Sequence, residues 1–94
     1  MSTIEILTQR LKDEGYPYIY EWKDAPGIEY PEHEHKGKVT IHILSGSITF
    51  KFPDREVALA TGDHFDVPFG ESHTAKVGPS GCHFLVGEMI ENDS

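Results

Sequence analysis

The residues of this chain best suited to chemistry are His33 and His35, set on either side of Glu34 and preceded by Pro31-Glu32. On an extended strand successive side chains alternate, so both imidazoles face one way while Glu32, Glu34 and Lys36 face the other. Two neutral ring nitrogens at that spacing can reach one transition-metal ion, and the set then needs a third ligand from elsewhere in the chain. His73 is the candidate. A lone H-x-H is more often a solvated strand face than a metal site, so its weight depends on what surrounds it.

The remaining chemistry-bearing residues fit less well. His42 follows Val39 by three residues, and strict alternation puts it on the opposite face of the strand, outside the barrel, unless a bulge re-aims it. His64 stands beside the Thr61-Gly62-Asp63 turn, where a supporting or entry role competes with an ordinary surface position. Glu71 shares parity with His73 and could hydrogen-bond a ligand imidazole, or simply lie exposed at the rim. His83 has no ligand spacing. Cys82 has nothing near it in sequence to depress its pKa and reads as a small buried filler rather than a nucleophile. No residue stands out as a general base.

The elements that must position these groups are short strands. Residues 2–14 read as an amphipathic helix, with Ile4, Leu7 and Leu11 on one face, Ser2 and Glu5 as a capping box, and Gly15 ending it. Tyr16, Tyr18, Tyr20 and Trp22 then share one parity, as in a strand with an aromatic face, and burial in a core or a dimer contact is the expected use of that area over substrate stacking. Asp24-Ala25-Pro26-Gly27 is a turn. From Lys38 to Phe52 two strands are expected to meet in a tight hairpin at Ser45-Gly46, with Val39, Ile41 and Ile43 alternating before the glycine and Ile48, Phe50 and Phe52 after it. Strands are further expected at 56–60, 64–67, 72–77 and 82–90, separated by Pro- and Gly-rich corners. This pattern indicates an all-β sandwich or barrel of antiparallel strands rather than an alternating α/β fold.

Composition bounds the rest. Ninety-four residues make one domain, 1–94, with a single modest core. A formal charge of -8 argues against nucleic acid or an anionic membrane as partner. One cysteine excludes an intramolecular disulfide framework, and the first residues lack the basic and apolar regions of a signal peptide, so a cytoplasmic protein is expected. Edge strands and the aromatic face of Tyr18, Tyr20 and Trp22 lead to the expectation of a homodimer.

Two stretches carry a family resemblance. Gly27, five residues, His33-Glu34-His35, three residues, Val39, six residues and Gly46 resemble the first cupin motif in spacing throughout; Gly62, five residues, Pro68-Phe69-Gly70, two residues and His73 resemble the second. The resemblance implies a double-stranded β-helix, or jelly-roll barrel, with a short N-terminal helix and a metal inside, its three His ligands matched by His33, His35 and His73. The chain departs from the pattern where Val39 replaces the Glu ligand and Val77 the usual Asn. Three neutral imidazoles resemble the three-His sites of certain cupin dioxygenases, and they leave a divalent transition metal (Fe, Mn, Ni, Zn or Cu, with Fe(II) favoured for an oxygenase) at a charge of about +2 rather than about +1. Such a centre suits a small anionic chelating ligand. Two functions remain open on these grounds: a metal-dependent oxygenase-type enzyme, or a cupin that binds a metal or small molecule without turnover, with an isomerase or lyase as a further alternative.

Overall fold

The computed structural model describes residues 2–34, 37–68 and 70–90, with Ile90 described by its backbone alone. Helix α1, Thr3–Asp13, begins where the Ser2 hydroxyl accepts the backbone N–H of Glu5 at 3.2 Å. Glu5 in its first turn and Arg10 and Lys12 in its last complement the helix dipole, and Gly15, at φ +93°, carries the chain out of it. Among the described residues six strands follow: β1 Tyr18–Asp24, β2 Glu29–His33, β3 Gly37–Phe52, β4 Arg55–Ala60, β5 His64–Val67 and β6 His73–Ile90.

The two long strands organise the domain. β3 and β6 run antiparallel beside each other, and each takes different neighbours along its two halves. The first half of β3 pairs with β5 and the second with β4; the first half of β6 pairs with β2 and the second with β1. Inward parity changes at the same level in both. In β3 the buried series Val39, Ile41, Ile43 becomes Ile48, Phe50, Phe52, and in β6 Ala75, Val77 becomes Cys82, Phe84, Val86. The change coincides with register shifts between Ile43 and Ser45 and between Gly46 and Ile48. A pair of strands bent in this way folds one hydrogen-bonded network over a single apolar core, which is the all-β jelly-roll arrangement expected.

The expected hairpin at Ser45-Gly46 is therefore a bend inside one strand, and the separate strands expected at 72–77 and 82–90 are one strand, β6. Close approach of the two backbones explains both differences. Gly46 has φ +82°, and a Cβ built on it would lie 2.1 Å from the Gly81 carbonyl oxygen. The glycine marks where β3 and β6 press together rather than a reversal of the chain. The turns expected at Pro53-Asp54 and Thr61-Gly62-Asp63 do join β3 to β4 and β4 to β5.

Helix α1 covers the outer face of the sheet. Leu11, Tyr16 and Leu85 form a second buried cluster there, with Leu7, Ile19, Leu44 and Met89 around it. Tyr16 thus departs from expectation: it precedes β1 and packs under the helix instead of joining the face of Tyr18, Tyr20 and Trp22. Gly87 leaves room for this, since a Cβ on it would meet Leu11 and Tyr16 side-chain atoms at 3.2 Å each.

Candidate functional site

β2 and the start of β6 bring two of the expected ligands together. His33 and His73 are direct cross-strand partners, and their ring centroids lie 4.6 Å apart at 58°. His73 is buried, with its ring against Phe50 and Phe52 at centroid distances of 5.7 and 5.1 Å. The Nδ1–H of His33 donates to the Pro31 carbonyl at 2.8 Å, and that of His73 to the Glu71 carbonyl at 2.9 Å. A carbonyl only accepts, so Nδ1 is the donor in both rings, the arrangement found where a histidine binds a metal through Nε2. His35 lies outside the described residues. Among the described residues, no three His, Cys, Asp or Glu side chains converge as a metal-holding set.

His33 opens onto a cavity of about 230 Å³ within the barrel. Its floor is apolar: Val39, Ile41, Ile48, Phe50, Val67 and Phe84 line it. Val39, the position at which the resemblance expects a Glu, is buried and lines this cavity, so a side chain there points to the interior and not to the surface. Tyr20, Trp22 and Tyr30 form the more open wall. Tyr20 and Trp22 are 42% and 50% exposed, which makes them neither core residues nor ordinary surface ones. Their polar tips are tied down. The Tyr20 hydroxyl donates to Glu88 Oε2 at 2.9 Å, the Trp22 Nε1–H to Asp24 Oδ1 at 2.9 Å, and the Tyr30 hydroxyl to the other oxygen of Asp24. Burial and then the carboxylate partner push the hydroxyls of Tyr20 and Tyr30 up to about 12, so both remain neutral donors.

Sequence reasoning missed Tyr30 because alternation puts positions 30 and 33 on opposite faces. The register of β2 against β6 shifts between these residues, and this bulge turns both toward the cavity. The signal that could have found it is Pro31, a residue that cannot complete a ladder and so often stands at an irregular edge. Glu88 was also missed. It lies directly across from Val39, on the same face of the sheet.

The competing histidines fall elsewhere. His42 is buried on the outer face, as alternation requires, and stacks on His64 at a centroid distance of 4.5 Å. Thr40 donates to Asp66 at 2.7 Å and lies 2.7 Å from His64 Nε2, so His64 belongs to this outer cluster and not to a supporting role in the barrel. His83 pairs with Glu21 at 2.9 Å. The Glu71 carboxylate turns away to Arg55, at 2.8 and 3.3 Å, and it is the backbone carbonyl of Glu71 that holds His73. Burial, then the charge of Asp24, pushes the Cys82 thiol up to about 11, which fits an inert core residue.

The family model for AraC-like ligand binding domains matches residues 15–86. The chain belongs to that family. Solved structures show that this AraC-like domain shares the fold of cupin proteins. It resembles a cupin-2 domain protein from Shewanella frigidimarina at 22% identity and TM-score 0.63, over 72% of this chain and 65% of that one. It is also similar to the polyketide cyclase RemF from Streptomyces resistomycificus, at 28% identity and TM-score 0.67, over 88% and 62% of the two chains. DMSP lyase DddQ from Ruegeria pomeroyi matches at 25% identity and TM-score 0.69, over 81% and 39%. The AraC-like domain thus spans less than two thirds of the length of each of these three proteins. A comparison with curated proteins finds no match. No helix among the described residues is long and apolar enough to cross a membrane.

Proposed function

We propose that this domain binds a small molecule inside its barrel, the apolar part of the ligand filling the cavity and its anionic end taken by a divalent transition metal on His33, His35 and His73. The observation that carries the reading is the pair His33 and His73, set opposite each other on neighbouring strands, His33 lining the cavity and His73 buried behind it, with both Nδ1 protons held by backbone carbonyls. Orientation of this kind is what metal-ligating imidazoles require. When bound, the metal supplies Lewis acidity and open positions for an anionic chelating group. The chain's own residues do the rest: the apolar floor excludes water, and Val39 adds no negative charge, so an anionic ligand meets no repulsion from that position.

A reading with turnover, as a metal-dependent oxygenase or as a lyase or cyclase, draws its support from enzymes among the similar structures, one a polyketide cyclase and one a DMSP lyase. Metal content of purified protein tests the shared premise. His73→Ala is expected to remove most bound metal and His42→Ala to leave it; the reverse result overturns the assignment. Oxygen uptake against a panel of diketones, thiols and hydroxy acids then separates turnover from binding.

A further inference from the structure

The open wall of the cavity has a composition that an apolar pocket does not need. Tyr20, Trp22 and Tyr30 line it, and each directs its polar tip to a carboxylate, either Asp24 or Glu88. One carboxylate, Asp24, holds both Trp22 and Tyr30, fixing two aromatic side chains relative to each other. What these side chains offer a ligand is therefore ring surface, already immobilised before anything binds. Among the described residues neither Asp24 nor Glu88 has a cationic partner; their partners are neutral phenol and indole donors. Half-exposed aromatic rings beside two uncompensated carboxylates, on a chain of formal charge -8, form an environment that attracts and seats a cation.

We propose that this wall recognises the cationic head of a small onium compound, a quaternary ammonium group above all. Together with the metal-binding reading, on which the second half of the statement rests, the ligand is a compact zwitterion: its carboxylate at the metal, its cation against Tyr20, Trp22 and Tyr30. A quaternary ammonium group fits better than a primary amine for a physical reason. It has no N–H to donate, so it loses little by leaving water, and its charge is spread over methyl groups that pack on rings. The apolar floor of the cavity does not compete for the cation, and the carboxylates, held back by the phenol and indole protons, act on it through the field rather than by direct pairing.

Trp22 is the only tryptophan of the chain, so its fluorescence reports on this wall directly. The test titrates the purified protein with choline and with 3,3-dimethylbutan-1-ol, which replaces the charged nitrogen by carbon, and then with trimethylglycine and 3,3-dimethylbutanoate. Choline is expected to bind about tenfold more tightly than its neutral isostere, the scale of a cation–π contact in a partly desolvated site. Tyr30→Phe, which keeps the ring, should retain most of that preference, and Tyr30→Leu should lose it. Equal binding of the charged and neutral compounds, or no response to either, overturns the proposal. The metal enters separately. Added divalent ion should strengthen trimethylglycine and leave choline unchanged; if it strengthens neither while the choline preference stands, the metal reading fails and the cation site survives.

Discussion

At the scale of single residues, Val39 separates this chain from the pattern it otherwise follows. It lines the cavity and stands directly across from Glu88, so Val39→Glu sets two carboxylates opposite each other on one face. Without metal the variant should melt at a lower temperature than the parent, because a buried charge beside a like charge is unfavourable. With a divalent ion present it should recover, and its metal affinity should change by ~10 to 100-fold, the range typical of altered metal-site surroundings. Melting curves with and without the ion check this. His42 gives a second, independent expectation. Burial first, then the charges of His64 and Arg10, lower its pKa below the ordinary 6.5, so the folded state prefers the neutral ring. The unfolded chain then binds more protons under acid, and the contribution of His42 to stability, present above about 6.5, is lost as pH falls through the lowered value. Asp66, also lowered, acts only near and below its own ordinary 3.8. Denaturant midpoints at pH 7.5 and 5 should therefore differ more for the parent than for His42→Gln.

At the scale of elements, the bend shared by β3 and β6 is the feature on which the barrel depends. Gly46 and Gly62 both have positive φ, +82° and +91°, but only Gly46 has a backbone atom in the way of a side chain. Gly62→Ala should cost about 1 kcal/mol from backbone strain alone, while Gly46→Ala must also move Gly81 and should cost several times more, read as the shift in urea midpoint. The same bend marks the limit of what the sequence discloses. Alternation identified the inward residues on both sides of Gly46 correctly, since burial on a pleated surface follows a period of two wherever the strand is regular. It could not tell a reversal of the chain from a bend, because a positive-φ glycine serves both and the partner that decides, Gly81, is distant in sequence. The site divides in the same way. The outward direction of His42 follows from local alternation, and His73 is set beside His33 only through the resemblance of two motifs far apart in the chain; the inward turn of Tyr30 and the approach of Glu88 to Tyr20 depend on a bulge and on a cross-strand register that no single segment specifies.

At the scale of the whole molecule, the expectation of a second copy rests on the open edges of the sheet. β2 carries Pro31, β5 is four residues long, and β4 opens with Arg55-Glu56, features that discourage further pairing. β1 has seven residues, no proline, and lies at the end of the strand order. Antiparallel pairing of two β1 strands centred on Tyr20 sets Tyr18 of one copy opposite Trp22 of the other and keeps Glu21 from facing Glu21. Opposing it is the charge of -8 on each copy, a repulsion that salt screens within about 8 Å at physiological ionic strength. The expected outcome is a homodimer that tightens as salt is raised and that Tyr18→Lys weakens by adding a charge to the paired edge. Light scattering at micromolar concentration and several ionic strengths measures this, and a mass of 10.6 kDa under all of them shows instead that the β1 edge stays unpaired.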